Sequence, residues 1–457
     1  MAKHVFFVGI GGSGMNGIAR VLRLHGYHVR GSDREFDRGA RSDFYASMQR
    51  IGIILFPQNG SGITPDLDSV VTSTAVEADI PDIVRARELG IPVIHRSEAL
   101  SNLIDSYTSI AVAGTSGKST VTGMCGWCLS RGGYDPLVLN GAHVLGMAAD
   151  GSDSDICAGT GQYAVFEADE SDRSLLRFTP SIGILTNITV DHMPLSELRN
   201  VFSGYIRNIR DTLILNADCA ESRTLNPSGR NTLRFGIDHG ADFTATAVTG
   251  SARHISFRVE DRSIHLAMPG RHNVYNALAC YTLLRHLGIP PGDIEDLLNG
   301  FRGIRRRFQV IGSVAGVTVV DDFAHNPDKI RSTMAAARHA GKRRIYVFQP
   351  HGFGPTRFLF EDLAAVFAQY PESTDRVILT PVFYAGGTVS RDVSSDALAE
   401  RIHALGGQAD VCDRNALPDH ILEIHESDDW VIVMGARDPS LTQLCQSILE
   451  TLASRLG

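Results

Sequence analysis

The stretch Ala111-Val112-Ala113-Gly114-Thr115-Ser116-Gly117-Lys118-Ser119-Thr120 constrains the fold more than any other part of the chain. The apolar run Ser109 to Ala113 reads as a buried strand. A glycine-bracketed loop follows, then Lys118, then a helix-like stretch from Val121 to Leu129. Strand, glycine loop, lysine and helix start together make a phosphate cradle, because loop and first-turn N–H groups face the anion. Gly114, Thr115, Ser116, Gly117 and Thr120 line that cradle. Lys118 supplies a point charge, and Ser119 a hydroxyl suited to Mg²⁺. The common spacing G-x-x-x-x-G-K-[ST] is not met, since Val112 stands five positions before Gly117; the loop is a shorter variant. Only four of the 43 basic residues are lysines (Lys3, Lys118, Lys329 and Lys342), so a lysine here is a selective choice. Arginine does not replace a compact charge that must reach a phosphate.

A second phosphate-binding pattern opens the chain. The strand Val5 to Gly9 runs into Gly9-Ile10-Gly11-Gly12-Ser13-Gly14-Met15, which satisfies G-x-G-x-x-G and leads into a helix from Asn16 to His25. The next strand, His28 to Asp33, ends in an acid. This is a dinucleotide-fold fingerprint in its proper context, with Asp33 placed for a ribose hydroxyl. The motif leaves NAD and a nucleotide sugar both open. Ser73 and Thr74 end one later strand, and His95 and Arg96 end another, so all four collect at the strand carboxyl ends where such folds bind ligands.

Two further strand ends carry polar clusters. After Tyr163 to Phe166 come Glu167, Asp169, Glu170 and Asp172, four acids in six residues. Beside a lysine–serine cradle, carboxylates are what Mg²⁺ requires. After Ile182 to Leu185 come Asn187, Asp191 and His192. A helix opening at His272 carries Asn273 and Asn276 three apart on one face. Phe301 to Phe308, with its run Arg305-Arg306-Arg307, reads as a domain junction. The last section repeats the strand–helix alternation. Its strands end in Asp321 to Pro327, Gln349 to Gly354, Thr380-Pro381 and Gly435 to Asp438.

At 457 residues the chain is long enough for about three domains. The expected organisation is α/β in three domains: a Rossmann-like N-terminal domain (1–106), a central P-loop-type ATPase domain (107–303) and a Rossmann-like C-terminal domain (304–457). A net charge of −8 argues against nucleic-acid binding driven by bulk charge. No apolar run reaches the ~18 residues of a membrane span. The N-terminus enters a strand without a secretory signal, and seven scattered cysteines give no disulfide framework, so a cytoplasmic location is expected. Cys125 and Cys128 match C-x-x-C but lie on the helix after the phosphate loop, one turn apart, as core positions.

A dehydrogenase would explain the first loop but not Lys118 with its acids; a lone ATPase would explain the second but not the first. An ATP-dependent ligase needs both. On these residues, and on Arg306 to Phe308, Asp321 to Pro327 and Met434 to Ala436, the chain resembles the Mur ligase family, which adds amino acids to the peptidoglycan precursor. Within it the likeness is to the branch that attaches L-alanine or a recycled tripeptide.

The resemblance implies that ATP phosphorylates the lactyl carboxylate of UDP-N-acetylmuramate, and that an amine then displaces phosphate. Lys118 would hold the β/γ-phosphates. Ser119 and Glu170 would ligate one Mg²⁺, and His192 a second. His272, Asn273 and Asn276 would meet the adenine, and Arg307 and Asp321 the nucleotide. Gly11, Gly12, Ser13, Gly14 and Met15 would cradle the UDP diphosphate. His325, His351 and Arg357 would serve the acceptor, an amino acid or short peptide. A monomer or homodimer is expected. A tripeptide-adding ligase, a ligase for another acceptor and a non-catalytic nucleotide-sugar-binding relative are the alternatives.

This sequence departs from the family pattern in two ways. No lysine occurs between Lys118 and Lys329, so the carbamylated lysine of several members is absent, as in the alanine-adding branch. Two expected arginines after Gln349-Pro350-His351 are Gly352 and Pro355, and an expected histidine pair reads His325-Asn326. The phosphoryl-transfer half reads as intact and the acceptor half as altered.

Overall fold

Short apolar strands alternating with helices give parallel sheets, because each helix covers the strand pair it connects. The first sheet holds β1 (His4–Val8), β2 (His28–Ser32), β3 (Ile54–Phe56), β4 (Ser69–Thr72) and β5 (Val93–His95). Its order is β3-β2-β1-β4-β5, with every pairing parallel. The order reverses between β1 and β4, so the loops leaving these two strands flank a crevice. Helix α1 (Ser13–Leu24) leaves the glycine loop after β1, and α2 (Arg96–Ile104) follows β5 directly.

The second sheet holds β6 (Thr108–Ala113), β7 (Leu137–Val144), β8 (Ser154–Ala158), β9 (Tyr163–Glu167), β10 (Ile182–Leu185), β11 (Thr212–Asn216), β12 (Asn231–Gly236) and β13 (Phe243–Thr244). Its order is β13-β12-β11-β10-β6-β9-β7-β8. Only β8 runs antiparallel to its neighbour. The phosphate-loop strand β6 lies between β10 and β9, so three strand ends meet at the head of α3 (Lys118–Arg131). Cys125 and Cys128 are buried and free along α3.

A small antiparallel sheet follows, with β14 (Thr246–Gly250), β15 (Ile255–Val259) and β16 (Arg262–Leu266). The fourth sheet holds β17 (Gln309–Val314), β18 (Val317–Asp322), β19 (Arg343–Gln349), β20 (Arg376–Leu379), β21 (Asp410–Val411) and β22 (Asp429–Gly435). Its order is β17-β18-β22-β19-β20-β21, parallel apart from β17. Alternate residues of its strands feed two cores: Tyr346, Phe348, Ile432 and Met434 one, Ile345, Val347, Val431 and Val433 the other.

The computed structural model describes residues 3–190, 193–227, 229–338, 340–384 and 390–456. His192, Asp191 and the side chain of Ser13 lie outside the described residues. The chain through Thr244 together with Tyr275–Phe301 forms one compact unit, and Ala245–Val274 with the chain from Arg302 onward another. The small antiparallel sheet therefore belongs to the second unit. Among the described residues no helix is long and apolar enough to cross a membrane.

One carboxylate anchors the far edge of the second sheet. Asp218 accepts the N–H groups of Ile237, Asp238 and His239 at 2.6, 3.0 and 2.8 Å, and the Tyr275 hydroxyl at 2.9 Å. Burial alone would raise its pKa, but these donors together hold it well below the usual carboxylate range. A depressed folded-state pKa contributes stability above the unfolded value and loses it as pH falls through the folded one. Asp218→Ala is therefore expected to cost about 2–4 kcal/mol near neutral pH. The gap from the parent should narrow below about pH 4 in urea titrations at a series of pH values.

Candidate active site

The loop after β6 is held by the end of β10. The Asn187 side chain pairs with the Ser116 backbone in both directions: Ser116 N–H donates to Asn187 Oδ1 at 3.0 Å, and Asn187 Nδ2 donates to Ser116 O at 3.0 Å. The Thr186 hydroxyl donates to the same carbonyl at 2.7 Å. Thr115 is buried, and its hydroxyl donates to Asn187 Oδ1 at 2.8 Å. Gly117 has φ +87°, and a Cβ there would lie 2.5 Å from Asn276 Oδ1, so this position accepts only glycine. Asn276, on α4 (Arg271–His286), thus leans on the phosphate loop.

Lys118 opens α3 and points back into the loop. Its Nζ donates to Gly114 O at 2.7 Å and to Glu170 Oε2 at 2.6 Å. Its side chain is 15% exposed and that of Glu170 2%. Burial works against the charged ammonium, but the charges of Glu170 and Asp169 outweigh it and raise the pKa, so Lys118 stays protonated.

Each acid of the loop after β9 has its own task. Glu167 takes the Gly141 N–H, Glu170 pairs with Lys118, and Asp172 pairs with Arg96 while accepting the Ser174 N–H at 2.9 Å. Asp169 accepts the Ser171 N–H at 3.1 Å and shapes the turn. Among the described residues no three histidine, cysteine or acidic side chains gather as a ready metal cage. The Ser119 hydroxyl and Glu170 carboxylate are hard oxygen donors. They fit Mg²⁺, which commonly binds one or two carboxylates and completes its shell with phosphate and water.

In the first sheet the Gly11 N–H donates to Asp33 Oδ2 at 2.8 Å, and the Glu35 N–H to Asp33 Oδ1 at 2.9 Å. Asp33 is buried. Each of its oxygens accepts a backbone N–H, so it braces the glycine loop. Met15 is a core residue at 2% exposure. Gly14 and Arg96 meet: a methyl on Gly14 would overlap the Arg96 guanidinium. His95 caps α2, with Nδ1 accepting the Ser97 N–H at 3.2 Å. Ser73 and Thr74 leave β4 beside the glycine loop, half-buried and exposed respectively. Arg41, which the sequence did not single out, donates to Gly11 O at 3.1 Å.

In the second unit His325 and His351 come together from the ends of β18 and β19. Their rings sit edge to face with centroids 5.1 Å apart. His325 Nδ1 donates to Phe323 O at 2.8 Å, which makes Nε2 the basic nitrogen of the neutral ring. Arg307 packs over the Phe323 ring at 5.0 Å. Arg357 lies elsewhere, donating to Asp392 Oδ1 at 3.0 Å and Ser390 O at 3.1 Å. Gly352 has φ +67° as the N-cap of α5 (Phe353–Phe358), a backbone that disfavours the arginine expected there. Asp321 is fully buried, holding Arg306 Nε at 3.1 Å and the Thr442 hydroxyl at 2.5 Å. Both its oxygens brace this internal tie. The Arg305–Arg307 run is correspondingly no mere junction, because Arg306 is an internal anchor. Asn273 is buried and donates to Pro269 O at 2.7 Å, while His272 is exposed on the same first turn of α4.

A short glycine loop with a buried Lys–Glu pair, preceded by a Rossmann crevice and followed by a third α/β sheet, defines a nucleotide-dependent ligase architecture. Residues 4–108 match the Mur ligase family catalytic domain, 112–284 the Mur ligase middle domain and 306–437 the Mur ligase glutamate ligase domain. The chain belongs to the Mur ligase family. It is 37% identical to a UDP-N-acetylmuramate–L-alanine ligase of Geobacter sulfurreducens, over 95% of each chain. It is also 37% identical to one of Geotalea uraniireducens, over 99% of each. Its fold superposes on the crystal structure of the UDP-N-acetylmuramate-alanine ligase of Thermotoga maritima with a TM-score of 0.80 and 27% identity, over 99% of this chain and 100% of that one.

Proposed function

We propose that this protein joins L-alanine to UDP-N-acetylmuramate at the expense of ATP, through an acyl phosphate, in the cytoplasm. The observation that carries the reading is the buried Lys118–Glu170 pair at the head of α3, in a chain that is similar over its full length to ligases of that name. The domains run 1–106, 107–303 and 304–457.

The roles are assigned on the family likeness, and the contacts each side chain makes support them. The glycine loop and α1 take the UDP diphosphate, with Arg96 beside it and Ser73, Thr74 and His95 on the same edge. Asp33 acts indirectly, by fixing Gly11. Lys118 trades Glu170 and Gly114 O for the β/γ-phosphates, and Asn187 keeps the loop in shape for them. Ser119 and Glu170 would hold a Mg²⁺ and His192 a second ion, and the charge such ions supply would offset that of the phosphates. A lactyl carboxylate oxygen attacks the γ-phosphorus and ADP leaves. The alanine amine then attacks the acyl carbon and phosphate leaves. His325 Nε2 takes the proton the ammonium must shed, with His351 against its ring. His272, Asn273 and Asn276 serve the adenine end, and Arg307 the phosphates.

The test is phosphate release with ATP, Mg²⁺ and UDP-N-acetylmuramate against L-alanine, glycine, L-serine and the tripeptide. Release with L-alanine is expected. Release with no acceptor panel member would sink the ligase reading, and release with the tripeptide alone would move it to the recycling branch.

Asn187→Ala tests the loop's support. The variant is expected to fold, because Asn187 sits at a strand end, yet to lose roughly 10–100-fold in kcat as Ser116 drifts from its place. Steady-state kinetics with circular dichroism as the folding control checks this.

A further inference from the structure

We propose that Asp172 is a positioning residue that couples the two nucleotide sites through Arg96. This rests on the diphosphate and phosphoryl-transfer assignments above and goes beyond them. Arg96 is the first residue of α2 and comes from the first sheet; Asp172 closes the acidic loop of the second. Nη2 of Arg96 pairs with Asp172 Oδ2, and both side chains are mostly buried, at 22% and 19% exposure. Nη1 of the same guanidinium lies against Gly14, at the first turn of α1 where the diphosphate docks. A guanidinium presents donors along two edges in a fixed fork, so one edge can hold phosphate while the other holds carboxylate.

Asp172 stands two residues after Glu170, which grips Lys118. A diphosphate that fixes Arg96 therefore fixes the segment from Glu170 to Asp172, and with it the acid that faces the second site. Ordering this segment once serves both ligands. The coupling is then positive and, by linkage, equal in both directions.

A separate ion pair also joins the two sheets' elements: Arg20 on α1 donates to Asp155 Oδ1 on β8 at 2.7 Å. It touches neither phosphate site, and so separates simple docking from coupling.

The experiment is isothermal titration of the full chain with ADP and Mg²⁺, with and without saturating UDP-N-acetylmuramate. The parent is expected to bind ADP about fivefold or more tightly when the sugar nucleotide is present. Asp172→Asn keeps an oxygen for the Ser174 N–H but removes the charge that Arg96 needs. It is expected to bind each ligand alone within about twofold of the parent and to lose the enhancement, a pattern that simple structural damage does not give. Asp172→Glu should restore part of the enhancement, and Arg20→Ala should leave it whole. If Asp172→Asn does not fold, Asp172→Ser carries the same comparison. Enhancement retained without the Asp172 charge, absent from the parent, or lost equally in Arg20→Ala overturns the link. No heat with UDP-N-acetylmuramate alone overturns the functional reading and the link with it, whereas normal single-ligand heats confine any failure to the link.

Discussion

Lys118→Ala is expected to abolish ATP-dependent phosphate release, by roughly 10³-fold or more, and to leave UDP-N-acetylmuramate binding within about threefold of the parent. The ammonium is the one full positive charge seen in the phosphate loop, and it is preorganised by Gly114 O and Glu170. Its charge costs no reorganisation at the moment phosphorus is transferred, which is the circumstance in which a fixed charge contributes most. The variant carries a second effect. Glu170, 2% exposed, loses its partner and takes up a proton or destabilises the domain. Lys118→Ala with Glu170→Gln removes that burden without restoring the charge. If the double variant melts like the parent and still releases no phosphate, the loss is catalytic. Lys118→Arg should not rescue, because a planar fork does not fit where a compact ammonium turns from Gly114 O and Glu170 to the phosphates. Calorimetry with the sugar nucleotide alone reads the first domain separately; loss of both activities would mean that the substitution damages the fold that both sites share.

Much of the fold was legible because its grammar is local. Gly9 to Gly14 and Gly114 to Lys118 each sit between an apolar strand and a helix, and neither arrangement needs distant information to be recognised. The inner strands β18, β19 and β22 of the last sheet were readable for the same reason: they are buried on both faces and carry long apolar runs. The strands β14 to β16 were not, since their sheet is partly exposed and its alternation is short and mixed with polar residues.

Individual roles were harder to read than elements. Asp33 at a strand end serves a ribose or a loop equally well on paper. Its bracing of the loop depends on the Gly11 N–H lying 2.8 Å away across 22 residues of sequence. Met15 sits inside the span of the glycine motif, yet its side chain turns to the core. Asn187 was visible as a polar strand end, but its two-way pairing with Ser116 is a tertiary fact. His325 and His351 are brought together across β22, a strand the chain adds only later. Such placements depend on strand order, which no window of sequence contains.

Arg306 gives the largest expected effect on stability. The sequence offers it as the middle of a basic run, where an exposed arginine is worth little. The structure makes it an internal tie: Nε donates to Asp321 at 3.1 Å, Nη1 to Asp438 O at 3.0 Å and Nη2 to Gly435 O at 2.8 Å. These partners come from β18, the end of β22 and the turn beyond it, so one side chain joins segments more than a hundred residues apart. Arg306→Ala leaves the Asp321 carboxylate fully buried without its cation, and two carbonyls without their donor. The expected cost is about 3–5 kcal/mol, read as a fall in the urea midpoint of the C-terminal transition. Arg306→Lys should recover little, since an ammonium cannot reach three acceptors set around a planar fork. Asp321→Asn on the Arg306→Ala background should regain part of the loss, because it removes the buried charge that the first change stranded. The same pair separates two roles for Asp321. As a brace for Arg306, its single Asn variant lowers stability and leaves the KM for ATP within about twofold. As a nucleotide contact, it raises that KM while the urea midpoint stays put.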